Sequence, residues 1–242
     1  MDNLRKGFPV LQQYTYFNTA ACGLLPEKVW EFRQDHDMDF FLKASVLKEK
    51  MGEMLTGVRE SIGSLYHCAP NRVALIPNFS YGFNSILGGI DSGSKILLIK
   101  DDYPSINWPV ESRDFQVCYA NLDKDLENNI LEAIKKNKPD IFAFSIVQYI
   151  NGVQLSSNFI NDLKQQFPDL LLIGDGTQYF GTEAYDFENS GLDIAISSCY
   201  KWMNAGYGNG FMLFSDRVEG RLNPKHLGFG SLQDRKSTRL NS

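Results

Sequence analysis

Several things are scarce in this sequence at once. No apolar stretch is long enough to span a bilayer, and the longest runs break within about ten residues. The N-terminal segment MDNLRKGFPV has no apolar core of the kind a signal peptide carries. Histidine occurs only at His36, His67 and His226, with no pair at metal-ligand spacing, so a metal centre has little support. The four cysteines, Cys22, Cys68, Cys118 and Cys199, form neither a CxxC pair nor an obvious disulfide framework, which suits a reducing compartment. Positive charge is also short: 24 Lys and Arg stand against 29 Asp and Glu, a net charge of −5. A nucleic-acid footprint would be basic on at least one face. These absences lead us to expect a cytoplasmic globular protein whose partners are neither nucleic acid nor membrane.

What is present is an ordinary core. With 242 residues, 43% hydrophobic and 22% charged, the chain is long enough for one large α/β domain or two small ones. Apolar spacing of three and four predicts helices from Pro26 to about Ala44 and from about Val46 to Tyr66. Short apolar runs then predict strands at 72–76, 95–100, 115–120, 140–147, 170–175, 193–198 and 211–215. Amphipathic segments between them, such as Asp125 to Lys136 and Asn158 to Phe167, complete βα units. That alternation predicts an α/β fold with a mostly parallel sheet flanked by helices. Ligands of such sheets gather at the carboxyl ends of the strands. No internal repeat or low-complexity linker interrupts the pattern.

Two residues at predicted strand ends carry the chemistry. Asp175 follows LLLIG inside GDGTQ, and Asp-Gly is a common turn dipeptide. The same carboxylate, at a strand's C-terminal edge, is also placed to face a bound cation or a protonated ring nitrogen. Lys201 lies 26 residues further on, in SSCYKWMNAGYG. A lysine after a strand is usually a surface residue, but this one has small and flat neighbours and glycines close behind. Desolvation lowers the pKa of such an amine and makes it a nucleophile able to hold a carbonyl cofactor. The segment GYGNG superficially suggests a dinucleotide fingerprint, yet it precedes a strand and is read as a turn. Cys199 beside Lys201 is read as a small buried side chain.

GDGTQ followed by SSCYKWMNAGYG resembles the pyridoxal-phosphate enzymes of the aminotransferase class V family, which includes cysteine desulfurases, kynureninase and isopenicillin-epimerase-like proteins. The likeness extends to YTYFNTAACGLLP as an N-terminal arm, IPNFSYGFNSIL as a phosphate loop entering a helix, and KDDYPSINWP as the segment covering the cofactor ring. Five motifs in family order cover nearly all of residues 14–232.

The resemblance implies a fold-type-I large domain with a seven-stranded sheet, a homodimer, and pyridoxal 5′-phosphate as cofactor. It implies an amino-acid substrate handled through an aldimine on Lys201, which also shuttles the α-proton. Asp175 would partner the pyridine nitrogen, Gln178 the phenolic oxygen, and Tyr103 would stack on the ring. Ser80 and the backbone of Tyr81 and Gly82 would cradle the phosphate with free amides, and Ser198 and Tyr200 would complete the cup. Tyr200 stands where desulfurases commonly carry His, and Tyr149, beside Gln148, where the family often has Asn. The second departure makes a desulfurase the less natural subfamily.

The organisation implied is an N-terminal arm over 1–25 and a cofactor-binding large domain over 26–232, with HLGFGS (226–231) reaching a partner's phosphate. The C-terminal small domain that, by the resemblance, carries the family's substrate-clamping arginine is expected to be absent from this chain. The tail QDRKSTRLNS (233–242) is expected to be disordered or non-native, since RKSTRLNS resembles adaptor-derived sequence. Alternatives are a truncated, non-catalytic cofactor-binding fragment, a desulfurase-type lyase, and an α/β nucleotide-binding domain.

Overall fold

A computed structural model describes residues 4–225. Two 3₁₀ turns, at Leu4–Gly7 and Pro9–Gln12, precede an extended arm. Helices α1 (Glu27–Lys43) and α2 (Ser45–Tyr66) follow, within two residues of the bounds that apolar spacing predicts. Next come β1 (Val73–Ile76), α3 (Phe79–Gly88), β2 (Lys95–Ile99), α4 (Pro104–Glu111), β3 (Gln116–Ala120), α5 (Leu126–Asn137) and β4 (Ile141–Ser145). The chain continues through α6 (Ser157–Gln166), β5 (Leu171–Asp175), β6 (Ile194–Ser198) and β7 (Gly210–Phe214). Six of the seven strands fall inside the predicted runs, and β7 begins one residue before its run, at Gly210. Helix α4, with Pro104 in its first turn, was legible only as a covering segment.

The strands form one sheet in the order β1-β7-β6-β5-β4-β2-β3. Neighbours are parallel from β3 across to β6, and β7 runs antiparallel to both β6 and β1. Because side chains alternate across a strand, each parallel strand feeds two cores. Ile96, Leu98, Ile141, Ala143, Leu171, Ile173, Ile194 and Ile196 pack on one face against α3 and α4. Leu97, Ile99, Phe142, Phe144, Leu172 and Ala195 pack on the other, against α5 and α6. Burial on both faces explains why the central strands read as continuous apolar runs. Strands β4 and β5 are buried along their whole length.

Parallel pairing brings the carboxyl ends of β2, β4, β5 and β6 to one edge of the sheet. Register sets Ser145 directly beside Asp175. At the opposite edge, just before β6, the fully buried Asp193 accepts from Lys164 Nζ, Arg217 Nε and the Leu172 amide, each at 2.8 Å. This knot pins α6 and the 3₁₀ turn at Asp216–Val218 to the sheet.

Candidate active site

Tyr103, Asp175, Gln178 and Lys201 converge on one cleft at the carboxyl edge, together with Ser145, Val147, Tyr149 and Thr177. The enclosed part of that cleft measures about 20 Å³. Asp175 closes β5. Its Oδ1 accepts the Thr177 amide at 2.8 Å, and desolvation pushes its pKa up to about 7. Thr177 hydrogen bonds oppose the rise, the buried carboxylate of Asp102 adds to it, and Lys201 counters it.

Lys201 follows β6 by three residues and is 6% exposed. Burial lowers the pKa of its amine, with Asp175 pulling the other way. Its Nζ makes no hydrogen bond among the described residues, and lies 5.6 Å from the ring centroid of Tyr103 and 5.8 Å from that of Tyr200. The tight turn that carries it is built by left-handed Asn204, Gly206 and Gly208 before β7, so GYGNG is a turn. Cys199 is buried, and burial raises its thiol to about 12, which suits a structural side chain.

The N-terminal arm docks on this same segment. The Gly23 amide donates to Tyr200 O at 2.7 Å, and the Leu24 amide donates to Asn204 Oδ1 at 2.9 Å. A Cβ at Gly23 would stand 1.8 Å from Lys201 O, so only glycine lets the arm approach this closely. Gln178 lines the cleft but already bridges arm and lysine segment. Its Nε2 donates to Ala20 O, and its Oε1 accepts from Trp202 Nε1, each at 2.9 Å. One Nε2 hydrogen remains for a ligand.

Helix α3 begins beside β6. The Phe79 amide donates to Ser198 Oγ at 2.8 Å, so Ser198 sits at the helix N-terminus as expected. The free amides expected at Tyr81 and Gly82 are a correction. Asn78 caps the helix, its Oδ1 accepting from Tyr81 N at 2.8 Å and its carbonyl from Gly82 N at 3.2 Å. Ser80 Oγ donates to Ser105 Oγ at 3.1 Å. Tyr200 is stacked on Tyr207 with centroids 4.9 Å apart, and its ring faces Lys201.

Sequence reasoning assigned no role to Thr177, Ser145, Trp202 or Asp102. Thr177 sits inside GDGTQ, where it could have been weighed. The others are placed by folding. HLGFGS lies outside the described residues.

The donor set suits pyridoxal phosphate: a desolvated amine, a buried carboxylate awaiting a cation, a flat ring, and a helix N-terminus for an anion. The fold is that of the large domain of fold-type-I pyridoxal-phosphate enzymes. The model of the family Aminotransferase class-V matches residues 15–240, and the chain belongs to that family. The family's cofactor is pyridoxal 5′-phosphate.

Among curated relatives, cysteine desulfurase SufS of Plasmodium falciparum is 25% identical over 95% of this chain and 47% of its own length. Isopenicillin N epimerase of Amycolatopsis lactamdurans is 23% identical over 96% of this chain and 62% of its own. Among solved structures, a C-DES mutant with glycine covalently linked to the cofactor superposes with a TM-score of 0.86. It is 20% identical and covers 93% of this chain and 62% of that one. The apo cysteine desulfurase of Thermococcus onnurineus NA1 reaches 0.83 at 17% identity, over 96% of this chain and 61% of that one. The chain thus spans about half to three fifths of the length of these relatives.

Proposed function

We propose that this chain is the cofactor-binding large domain of a cytoplasmic, homodimeric pyridoxal-phosphate enzyme acting on an amino acid, with Lys201 as its catalytic residue. The observation that carries the reading is the pairing of a desolvated lysine with a buried carboxylate in one cleft at the sheet's carboxyl edge. Bound there, pyridoxal phosphate supplies an electron sink for the charge left on a substrate's α-carbon.

The chain's own residues hold and tune that group. Lys201 would hold it through its amine and would carry the substrate's α-proton. Asp175 would accept from the protonated ring nitrogen, and a cation there would restore its charge. Gln178 would offer its remaining hydrogen to the phenolic oxygen, and Tyr103 would present a ring face. Ser80, Ser198 and the start of α3 receive the phosphate, using the helix dipole and the polar groups that Asn78 leaves free. The arm over 1–25 belongs to the site through Ala20, Gly23 and Leu24.

Relatives named as a desulfurase and as an epimerase match at similar identity, so the reading stays at the class of reaction that begins with a carbanion. Tyr149 in the cleft lining weighs against the desulfurase branch.

The test is spectroscopic. Purified chain mixed with pyridoxal phosphate should develop a visible band. Borohydride should abolish the band and fix the cofactor to the peptide containing Lys201, while Lys201→Ala should show neither effect. A colourless mixture, or an adduct mapped to another lysine, contradicts the assignment.

A further inference from the structure

Among the buried titratable groups that the function proposed above leaves unused, one lies against the cleft. Asp102 is 3% exposed and sits between β2 and α4. No cation touches it among the described residues, and burying a bare carboxylate is costly unless donors surround it. Four donors do so. The Ser145 amide reaches Oδ2 at 2.8 Å, and Ser145 Oγ reaches Oδ1 at 2.6 Å. The Tyr103 amide reaches Oδ1 at 2.7 Å, and Gln148 Nε2 lies 3.5 Å from Oδ2. Burial raises the pKa of Asp102 and these hydrogen bonds pull it back.

The ordinary task of an aspartate at this position is to cap the helix that follows. Asp102 does not do so, because α4 has Tyr103 as its N-cap residue and no side-chain cap hydrogen bond. Its carboxylate crosses 43 residues to the end of β4 instead. The preceding Asp101 adopts a left-handed backbone, φ 63°, which aspartate tolerates better than most residues. A second tether lies one turn into α4, where Asn107 Nδ2 donates to Ile99 O at 3.0 Å. Two of the three residues that bond Asp102, Tyr103 and Ser145, line the cleft: Tyr103 faces Lys201 Nζ, and Ser145 stands in register with Asp175.

We propose that Asp102 is a positioning residue that clamps the ends of β2 and β4 and thereby sets Tyr103 and Ser145 around the bound cofactor ring. The inference rests on the pyridoxal-phosphate reading, and its test separates the two. Wild type, Asp102→Asn and Asp102→Ala are titrated with pyridoxal phosphate. The readouts are visible absorption, visible circular dichroism per bound cofactor, and the peptide labelled after borohydride. Ser145→Ala is the milder variant should the alanine substitution unfold the chain.

The expected result is labelling at Lys201 in every folded variant, with cofactor affinity down about tenfold and the induced dichroism down severalfold. In the cofactor-free chain, Asp102→Asn should speed hydrogen exchange at the Ser145 amide at least tenfold. A purely structural role would lower thermal stability and leave the dichroism per bound cofactor unchanged, which overturns the proposal. Unchanged exchange at Ser145 overturns it as well. If wild type takes up no cofactor at Lys201, the functional reading fails and the positioning role falls with it. Normal wild-type binding with indifferent variants removes the positioning role alone.

Discussion

Asp175 and Lys201 each pay for burial in the currency of protonation. The folded chain holds the Asp175 proton up to about pH 7, against an ordinary 3.8, so the unfolded chain releases it first as pH rises. The contribution of this group to stability is therefore full below about pH 4 and is lost as pH climbs through 7. Without cofactor, Asp175→Asn should be more stable than wild type at pH 8, by roughly 1–4 kcal/mol, with the advantage gone near pH 4. Urea denaturation at the two pH values measures this. The same substitution should weaken cofactor binding, because asparagine cannot return a charge to a protonated ring nitrogen. Opposite signs for stability and binding are the mark of a residue kept for its site.

Among the elements, the parallel strands deliver the site and the far edge secures them. Asp193 is fully buried with Lys164, Arg217 and the Leu172 amide on its two oxygens. Replacing both partners of such a knot by apolar groups can be neutral, whereas removing one strands the other. Asp193→Ala leaves the Lys164 ammonium buried without its partner, and should cost about 3–5 kcal/mol in equilibrium unfolding. Cofactor affinity in the folded fraction should change little, since the knot lies at the edge of the sheet away from the cleft. The arm is the contrasting element. It has no apolar core of its own and is held by the Gly23 amide on Tyr200 O, the Leu24 amide on the Asn204 side chain and the Gln178 side-chain amide.

At the scale of the molecule, α1 and α2 leave large apolar side chains in water. Trp30, Phe32, Phe40, Phe41, Leu42, Val46 and Met51 are all exposed. Apolar surface of that extent marks an interaction face. In the proposed homodimer a second copy covers it. Sedimentation should then find a dimer, and Phe41→Glu should raise its dissociation constant about tenfold or more, as expected for an aromatic anchor at an interface. A wild-type chain that sediments as a monomer at every concentration speaks against the homodimer. No helix among the described residues is long and apolar enough to cross a membrane.

The order of elements was legible in the residues because each carries its own period. Apolar runs such as LLLIG and KILLI mark strands buried on both faces, and helix bounds followed apolar spacing at three and four. Asp175 and Lys201 were legible too, since each sits where a strand stops and a small-residue turn begins. Other features depended on contacts far apart in sequence. Asp102 reaches Ser145 across 43 residues, Gln178 reaches Ala20 across 158, and Leu24 reaches Asn204 across 180. Capping by Asn78 withdrew the Tyr81 and Gly82 amides, a local effect that hydrogen-bond geometry alone decides. The sequence by itself determined the strands, most of the helices and the two residues of the proposed cofactor grip, because hydrophobic periodicity and turn chemistry act over a few residues. Only the tertiary structure decided what surrounds that grip, because pairing across the sheet joins segments that share no local pattern.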